Sequence, residues 1–219
     1  MRSLIPHFAL TLALGSATPL GAVVVDRIAV IVANQIITSS DIETRLRLSA
    51  FENGAAAADF SLAARRTALQ SLIDQRLVGK EMELGHYPRL EAAERARLVS
   101  AFAVSAFTFA VSAFNSSMEE MDRALARAGL QRKDLEEDLA RQAELLTFLS
   151  LRFRPAVQIS DADVDTRYRE RTGPRVPLDE VRQSIEQSIT AEQADRELDA
   201  WLAAQRKSTR IVFVDRDLQ

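Results

Sequence analysis

The 219-residue chain contains no cysteine. That excludes a disulfide scaffold, thiol nucleophiles, a thiolate metal site and a lipid anchor on cysteine. Histidine is almost missing: His7 lies near the start, and His86 stands alone in the rest of the chain. A histidine-rich metal cluster is impossible, and a Ser-His-Asp triad could be built only around His86. That residue sits in Gly85-His86-Tyr87-Pro88, which reads as an exposed turn between helices. The seven glycines form no glycine-rich phosphate loop. A net charge of −3, with both signs interspersed, leaves no nucleic-acid footprint.

Carboxylates are plentiful, but their arrangement is not that of a reaction centre. Glu119-Glu120, Glu136-Glu137-Asp138 and Asp161, Asp163 and Asp165 lie in helical stretches beside arginines. They read as solvated helix faces, not as the two facing carboxyls a glycosidase needs. Asp161, Asp163, Asp165 and Thr166 echo a calcium loop but lack its glycine and distal glutamate at the right spacing. The sequence therefore assigns no catalytic residue, no metal ligand and no cofactor.

What is present begins with MRSLIPHFALTLALGSATPLGA over residues 1–22. Arg2, the apolar run Leu4 to Leu14 and the small residues up to Ala22 have the layout of a cleavable export signal. The run is shorter than the ~20 apolar residues that span a bilayer. The expectation is a periplasmic protein with a cut after Ala22, no stable membrane span after cleavage and a charge of 27 − 31 = −4.

Val23 to Thr38 is rich in β-branched residues and predicts two short strands around a turn at Asn34-Gln35. Ser40-Asp41-Ile42-Glu43 is a capping box for a helix through about Phe51. A second helix runs to about Leu84, with Leu69, Ile73 and Leu77 as its buried stripe and Gly85 just past its end. A third starts near Leu90. Ser116, Ser117, Glu119 and Glu120 cap a fourth that ends at Gly129. In a fifth, Leu135, Leu139, Leu146 and Phe153 mark a stripe that Pro155 stops. Ser160 with Asp163 caps a shorter helix carrying Tyr168. Residues 173–177 (Gly-Pro-Arg-Val-Pro) read as a linker. The last helix, about Leu178 to Lys207, buries Val181, Ile185, Leu198, Trp201 and Leu202, and Thr209 to Val214 reads as a closing strand. Strands at both ends of a helical chain are expected to pair. The fold class is mainly α (α+β), with a small antiparallel sheet made by the N-terminal hairpin and the C-terminal strand.

From Leu98 to Met118 the chain carries no charge, and FAVSAF occurs at 102–107 and again at 109–114. The seven-residue period puts Phe102 and Phe109 on one helix face, as it does Phe107 and Phe114. A buried core helix, an apolar surface for a partner or client, and a membrane-inserted segment all fit this pattern.

The order of these elements resembles the SurA-like periplasmic chaperones. Their opening V-V-D-x-(I/V)-A-x-V-V-N segment corresponds to Val24-Val25-Asp26-Arg27-Ile28-Ala29-Val30-Ile31-Val32-Ala33-Asn34. SSDIETRL, LIDQRLVGKEMELG, MEEMDRALARAGLQRKDLEEDLARQ, ISDADVDTRYRE and ADRELDAWLAAQRKSTRIVFVD follow in the family's order, covering nearly the whole chain after the signal. In the family one or more parvulin-type prolyl isomerase domains, of roughly 90 residues or more, usually precede the last helix. Here only residues 173–177 occupy that place, and the FAVSAF duplication has no counterpart in the family pattern.

The resemblance implies an ATP-independent periplasmic chaperone, not an enzyme, that binds unfolded polypeptides such as outer-membrane protein precursors. Its domains would be a signal over 1–22 and a helical chaperone domain over 23–219, with 178–214 packing back onto the N-terminal part. Candidate client-binding residues are Phe102, Phe107, Phe109 and Phe114. The alternatives are a divergent peptidyl-prolyl isomerase-family protein, and a periplasmic assembly or adaptor protein using 98–117 to form a homodimer or to dock.

Overall fold

The computed structural model describes residues 26–110, 118–171 and 176–219. The expected signal, Phe114, the capping Ser116 and Ser117, and most of the 173–177 linker lie outside the described residues. In chain order the elements are β1 (Ile28–Val32), β2 (Gln35–Thr38), α1 (Ser39–Glu52), α2 (Leu62–Leu84), α3 (Ala92–Ala110), α4 (Met118–Arg127), α5 (Arg132–Arg152), α6 (Asp161–Arg171), α7 (Leu178–Ser208) and β3 (Ile211–Phe213). The protein is mainly α, with one three-stranded antiparallel sheet in the order β2-β1-β3. As expected, the strands from the two ends of the chain pair, with Val30 opposite Phe213 and Val32 opposite Ile211.

The hairpin turn sits one residue earlier than expected. Val32 pairs with Gln35, so Ala33 and Asn34 are the two turn residues, and Gln35 already belongs to β2. Ala33 has φ 53°, a left-handed backbone that costs an L-residue about 1–2 kcal/mol. Its amide donates to the Arg210 carbonyl at 2.8 Å, which ties the turn to the residue before β3. Ala33→Gly is expected to raise stability by about 0.5–1 kcal/mol, because the relieved strain outweighs the added freedom of the unfolded chain. A urea midpoint below that of wild type would contradict this.

The cap of α1 also moves. Thr38, not Ser40, is the N-cap: its Oγ1 accepts from the Asp41 amide at 3.2 Å, and Asp41 Oδ2 accepts from the Thr38 amide at 3.0 Å. Both Thr38-x-x-Asp41 and Ser40-x-x-Glu43 satisfy the pattern in sequence. The earlier one forms because β2 delivers Thr38 in the extended conformation an N-cap requires. Glu43 instead pairs with Arg47 one turn on, at 3.2 Å.

At the end of α2, Gly85 is the C-cap with φ −86°, and the left-handed residue is His86, at φ 51°. The Tyr87 amide donates to the Met82 carbonyl at 2.9 Å and the His86 amide to Glu83 at 3.2 Å, the paired bonds of a Schellman turn. Glycine is needed at 85 for another reason: a Cβ there would lie 2.5 Å from the Tyr87 ring. That ring folds back onto Phe148, with centroids 5.2 Å apart.

Three apolar clusters result. The largest lies under the sheet, where Val30, Val32 and Ile37 meet Leu69, Ile73 and Leu77 of α2, Phe148 and Leu149 of α5, and Leu202 of α7. A second joins Leu48, Val99, Met121, Leu125, Leu130 and Leu135. The third packs α6 on α7 through Val164, Ile185 and Ile189, with Tyr168 at its margin.

The stripe of α5 departs from expectation. Leu135 and Phe153 are buried, but Leu146 is 59% exposed, while Leu145 and Leu149 face the main core. Counting about 100° per residue from Leu135 brings Leu146, not Leu145, back to the same face, so it is the packing of α5 against α2 and α7 that turns Leu145 and Leu149 inward. The same helix also buries the carboxylates of Asp138 and Glu144, which lie on different faces of it. Asp138, at 1% exposure, is therefore not on a solvated face as expected.

Candidate functional site

Of the four candidate phenylalanines, only Phe102 has a described side chain. It is half-buried in the second cluster and stacks on Phe51, with centroids 6.2 Å apart. Phe107 and Phe109 belong to α3, but their side chains, like Phe114, lie outside the described residues. Val99, one turn before Phe102, is buried, so the described part of the apolar stretch joins the core. Among the described residues, no helix is long and apolar enough to cross a membrane.

The structure places a different concave site between α1, α2, α5 and α7, a cleft of about 490 Å3. Such volumes lie within the range of about 300–1,000 Å3 typical of ligand pockets. Its floor is apolar: Val78 and Met82 from α2, Leu145 from α5, and Leu198 and Leu202 from α7. The helical spacings 78/82 and 198/202 put each pair on one face, so the amphipathic periods that build the core also pave the floor.

The rim is polar, and its charges compensate one another. Arg45 reaches Asp138 at 2.9 Å and Glu52 at 3.4 Å. Arg89 meets Glu144 at 2.7 Å, and Arg95 approaches the same carboxylate at 3.8 Å. The Leu90 amide also donates to Glu144, at 3.3 Å. Asp74 is held by Arg206 of α7, whose Nε donates at 2.7 Å. Two buried rim atoms, the acceptor Gln75 Oε1 and the donor Arg141 Nε, have no hydrogen-bond partner among the described residues.

Gly79 adds a second peculiarity. It stands inside α2, where glycine costs about 1 kcal/mol relative to alanine. A Cβ built on it would meet nothing within 4 Å, so no neighbour among the described residues requires glycine there. It lines the cleft, and its carbonyl accepts from Arg89 Nη2 at 3.0 Å.

Reactive groups do not converge on the cleft. Ser71 is its one hydroxyl, and the residue facing it is Gln75, whose Nε2 lies 3.5 Å away and cannot act as a base. Among the described residues, no group of three or more His, Asp or Glu side chains could hold a metal ion. His86 is exposed at the end of α2. The arrangement is suited to holding an apolar group under a rim of paired charges.

Of the floor residues, only Leu198 and Leu202 read as buried in the sequence; Val78, Met82 and Leu145 are given no role there, and Asp138 is placed on a solvated face. Asp138 and Leu145 are seven residues apart and share a face of α5, but the phase counted from Leu135 favours Leu146, so no local signal marks them. No protein-family model matches the sequence, and no curated protein matches it either.

Proposed function

We propose that the protein is an ATP-independent periplasmic chaperone of the SurA-like kind. It holds unfolded polypeptides, among them outer-membrane protein precursors, and has no isomerase activity. The observation that carries this reading is the cleft: an aliphatic floor under a rim whose charges are already paired. A floor of Val78, Met82, Leu145, Leu198 and Leu202 selects for apolarity and not for one shape, and methionine adapts to different occupants. Gly79 leaves the α2 backbone open to close approach by an occupant. The order of sequence elements supports the same reading, as does the export signal expected over residues 1–22.

The mechanism is binding without chemistry. An unfolded client presents apolar side chains to water, and burying them in the cleft recovers about 25 cal/mol per Å2. Ordering the client offsets much of that gain, which sets affinity in the micromolar range, about −8 kcal/mol. A carrier of that affinity releases its client without an energy source.

The test uses residues 23–219 and a denatured outer-membrane β-barrel diluted into buffer. Near-stoichiometric suppression of light scattering, without nucleotide, is the expected result. Gly79→Phe is expected to keep the helical circular dichroism and abolish suppression, since its side chain fills open space in the cleft and phenylalanine suits a helix better than glycine. No suppression by the unaltered protein, even in excess, would overturn the reading in favour of a dedicated assembly role for residues 98–117. Full suppression by the filled variant would move client binding to another surface.

A further inference from the structure

Two carboxyl groups meet inside the contact between α1 and α5. Glu52 is the last residue of α1, and Asp138 lies in the first half of α5. One amide serves both: Gln142 Nε2 donates to Glu52 Oε1 and to Asp138 Oδ2, each at 2.8 Å. One guanidinium spans both, with Arg45 Nη1 on Asp138 Oδ2 at 2.9 Å and Nη2 on Glu52 Oε2 at 3.4 Å. The side chain of Asp138 is 1% exposed and that of Glu52 18%, so water screens this pair poorly.

The other charged groups nearby are engaged. Arg141 of α5 reaches Asp138 Oδ1 at 3.3 Å and Glu137 at 3.9 Å. On α2, Asp74 belongs to Arg206 and Arg76 lies 3.7 Å from Asp41. On α3, Arg95 lies 3.8 Å from Glu144. Among the described residues, no spare cation faces Glu52 when both carboxyls ionise.

We propose that Glu52 and Asp138 form a one-proton latch between α1 and α5, closed when the pair holds a proton and loosened when both are ionised. The two groups divide the roles. Burial, and then the charge of Asp138, push the Glu52 carboxyl above the ordinary glutamate value, and Arg45 and Gln142 only partly oppose this. Burial pulls Asp138 upward too, but Arg45, Gln142 and Arg141 outweigh it and hold it below the ordinary aspartate value. The proton therefore sits on Glu52, whose hydroxyl donates to the Asp138 carboxylate. When it leaves, Arg45 and Gln142 alone hold two like charges together. Both side chains line the cleft, so the proton state of the pair sets how firmly that wall is fixed. This inference stands on the α1–α5 contact and is independent of what the cleft holds.

Glu52→Gln places an amide where the protonated acid would be, donating to Asp138 with no charge to lose. A folded-state value raised above the unfolded one gives stability that is present in acid and lost as pH rises through the folded value. Urea midpoints of the two proteins across about pH 4 to 8 are therefore expected to meet in acid and separate above it, the variant being the more stable. Amide exchange gives a local reading at matched pH, where intrinsic exchange cancels. The amides of Asn53, Gly54 and Ala55, which close the end of α1 onto Ser49, Phe51 and Ala50, should exchange several-fold faster in wild type at the alkaline end and equally in acid. Carbon NMR of the wild-type Glu52 carboxyl should show a midpoint above the ordinary glutamate value. A gap in urea midpoint that does not change with pH, or a Glu52 midpoint at or below that value, would overturn the latch.

Discussion

Phe148→Ala is expected to destabilise the protein by about 4 kcal/mol, the largest effect of any single truncation in the main core. The Phe148 side chain is fully buried on α5, and three rings surround it: Tyr87 at 5.2 Å, Trp201 at 5.4 Å and Phe153 at 5.6 Å between centroids. These partners come from the turn after α2, from α7 and from the end of α5, so the cavity would open where separate parts of the chain converge. Above them the Arg152 guanidinium lies 5.8 Å from the Phe148 and Phe153 ring centres and 5.7 Å from that of Trp201, anchored by Glu81 at 2.9 Å. With those contacts fixing its walls, the site cannot collapse onto a smaller residue, and the cost falls at the upper end for such substitutions. Leu146→Ala, two residues earlier but 59% exposed, should change stability by less than about 0.5 kcal/mol. Urea midpoints of the two variants check both values together. Comparable losses would mean that the phase of α5 is wrong.

That pair of residues also shows how far the fold was legible. Elements whose hydrophobic period is uninterrupted could be read directly. Leu69, Ile73 and Leu77 are buried as a four-residue repeat requires, and TRIVFV forms the strand that pairs with β1. Boundaries set by competition between neighbours could not. Thr38 and Ser40 both begin a capping box, and only the direction of β2 decides between them. In the hairpin, residue preference favours Asn34 for the strained turn position, but the pairing of Val32 with Gln35 places the strain on Ala33.

The candidate site was less legible, because its determinants are long-range. Nothing local distinguishes Asp138 from its neighbours Glu136 and Glu137. Its burial depends on Arg45, 93 positions away, arriving from α1. The cleft is likewise made from residues of four helices whose mutual packing no sequence period specifies, and Gly79 is informative only once its surroundings are known to be empty.

Arg45→Met should cost about 3 kcal/mol at neutral pH, and most of that cost should be electrostatic. Methionine keeps much of the aliphatic stem, so the substitution removes mainly the guanidinium. Asp138 would retain Arg141 at 3.3 Å, but Glu52 would lose the one cation paired with it among the described residues and face an ionised neighbour in a poorly screened contact. Both carboxyls should then titrate higher than in wild type. A raised folded-state value makes the penalty grow as pH rises and vanish in acid, so the variant's deficit should shrink steadily towards low pH. A double-mutant cycle with Glu52→Gln isolates the cause. If the guanidinium acts chiefly by holding two like charges together, adding Glu52→Gln to Arg45→Met should recover more than half of the lost stability at neutral pH. If the double variant is no more stable than Arg45→Met alone, Asp138 bears the cost by itself, and the burial of that single charge, not repulsion within the pair, is what Arg45 opposes.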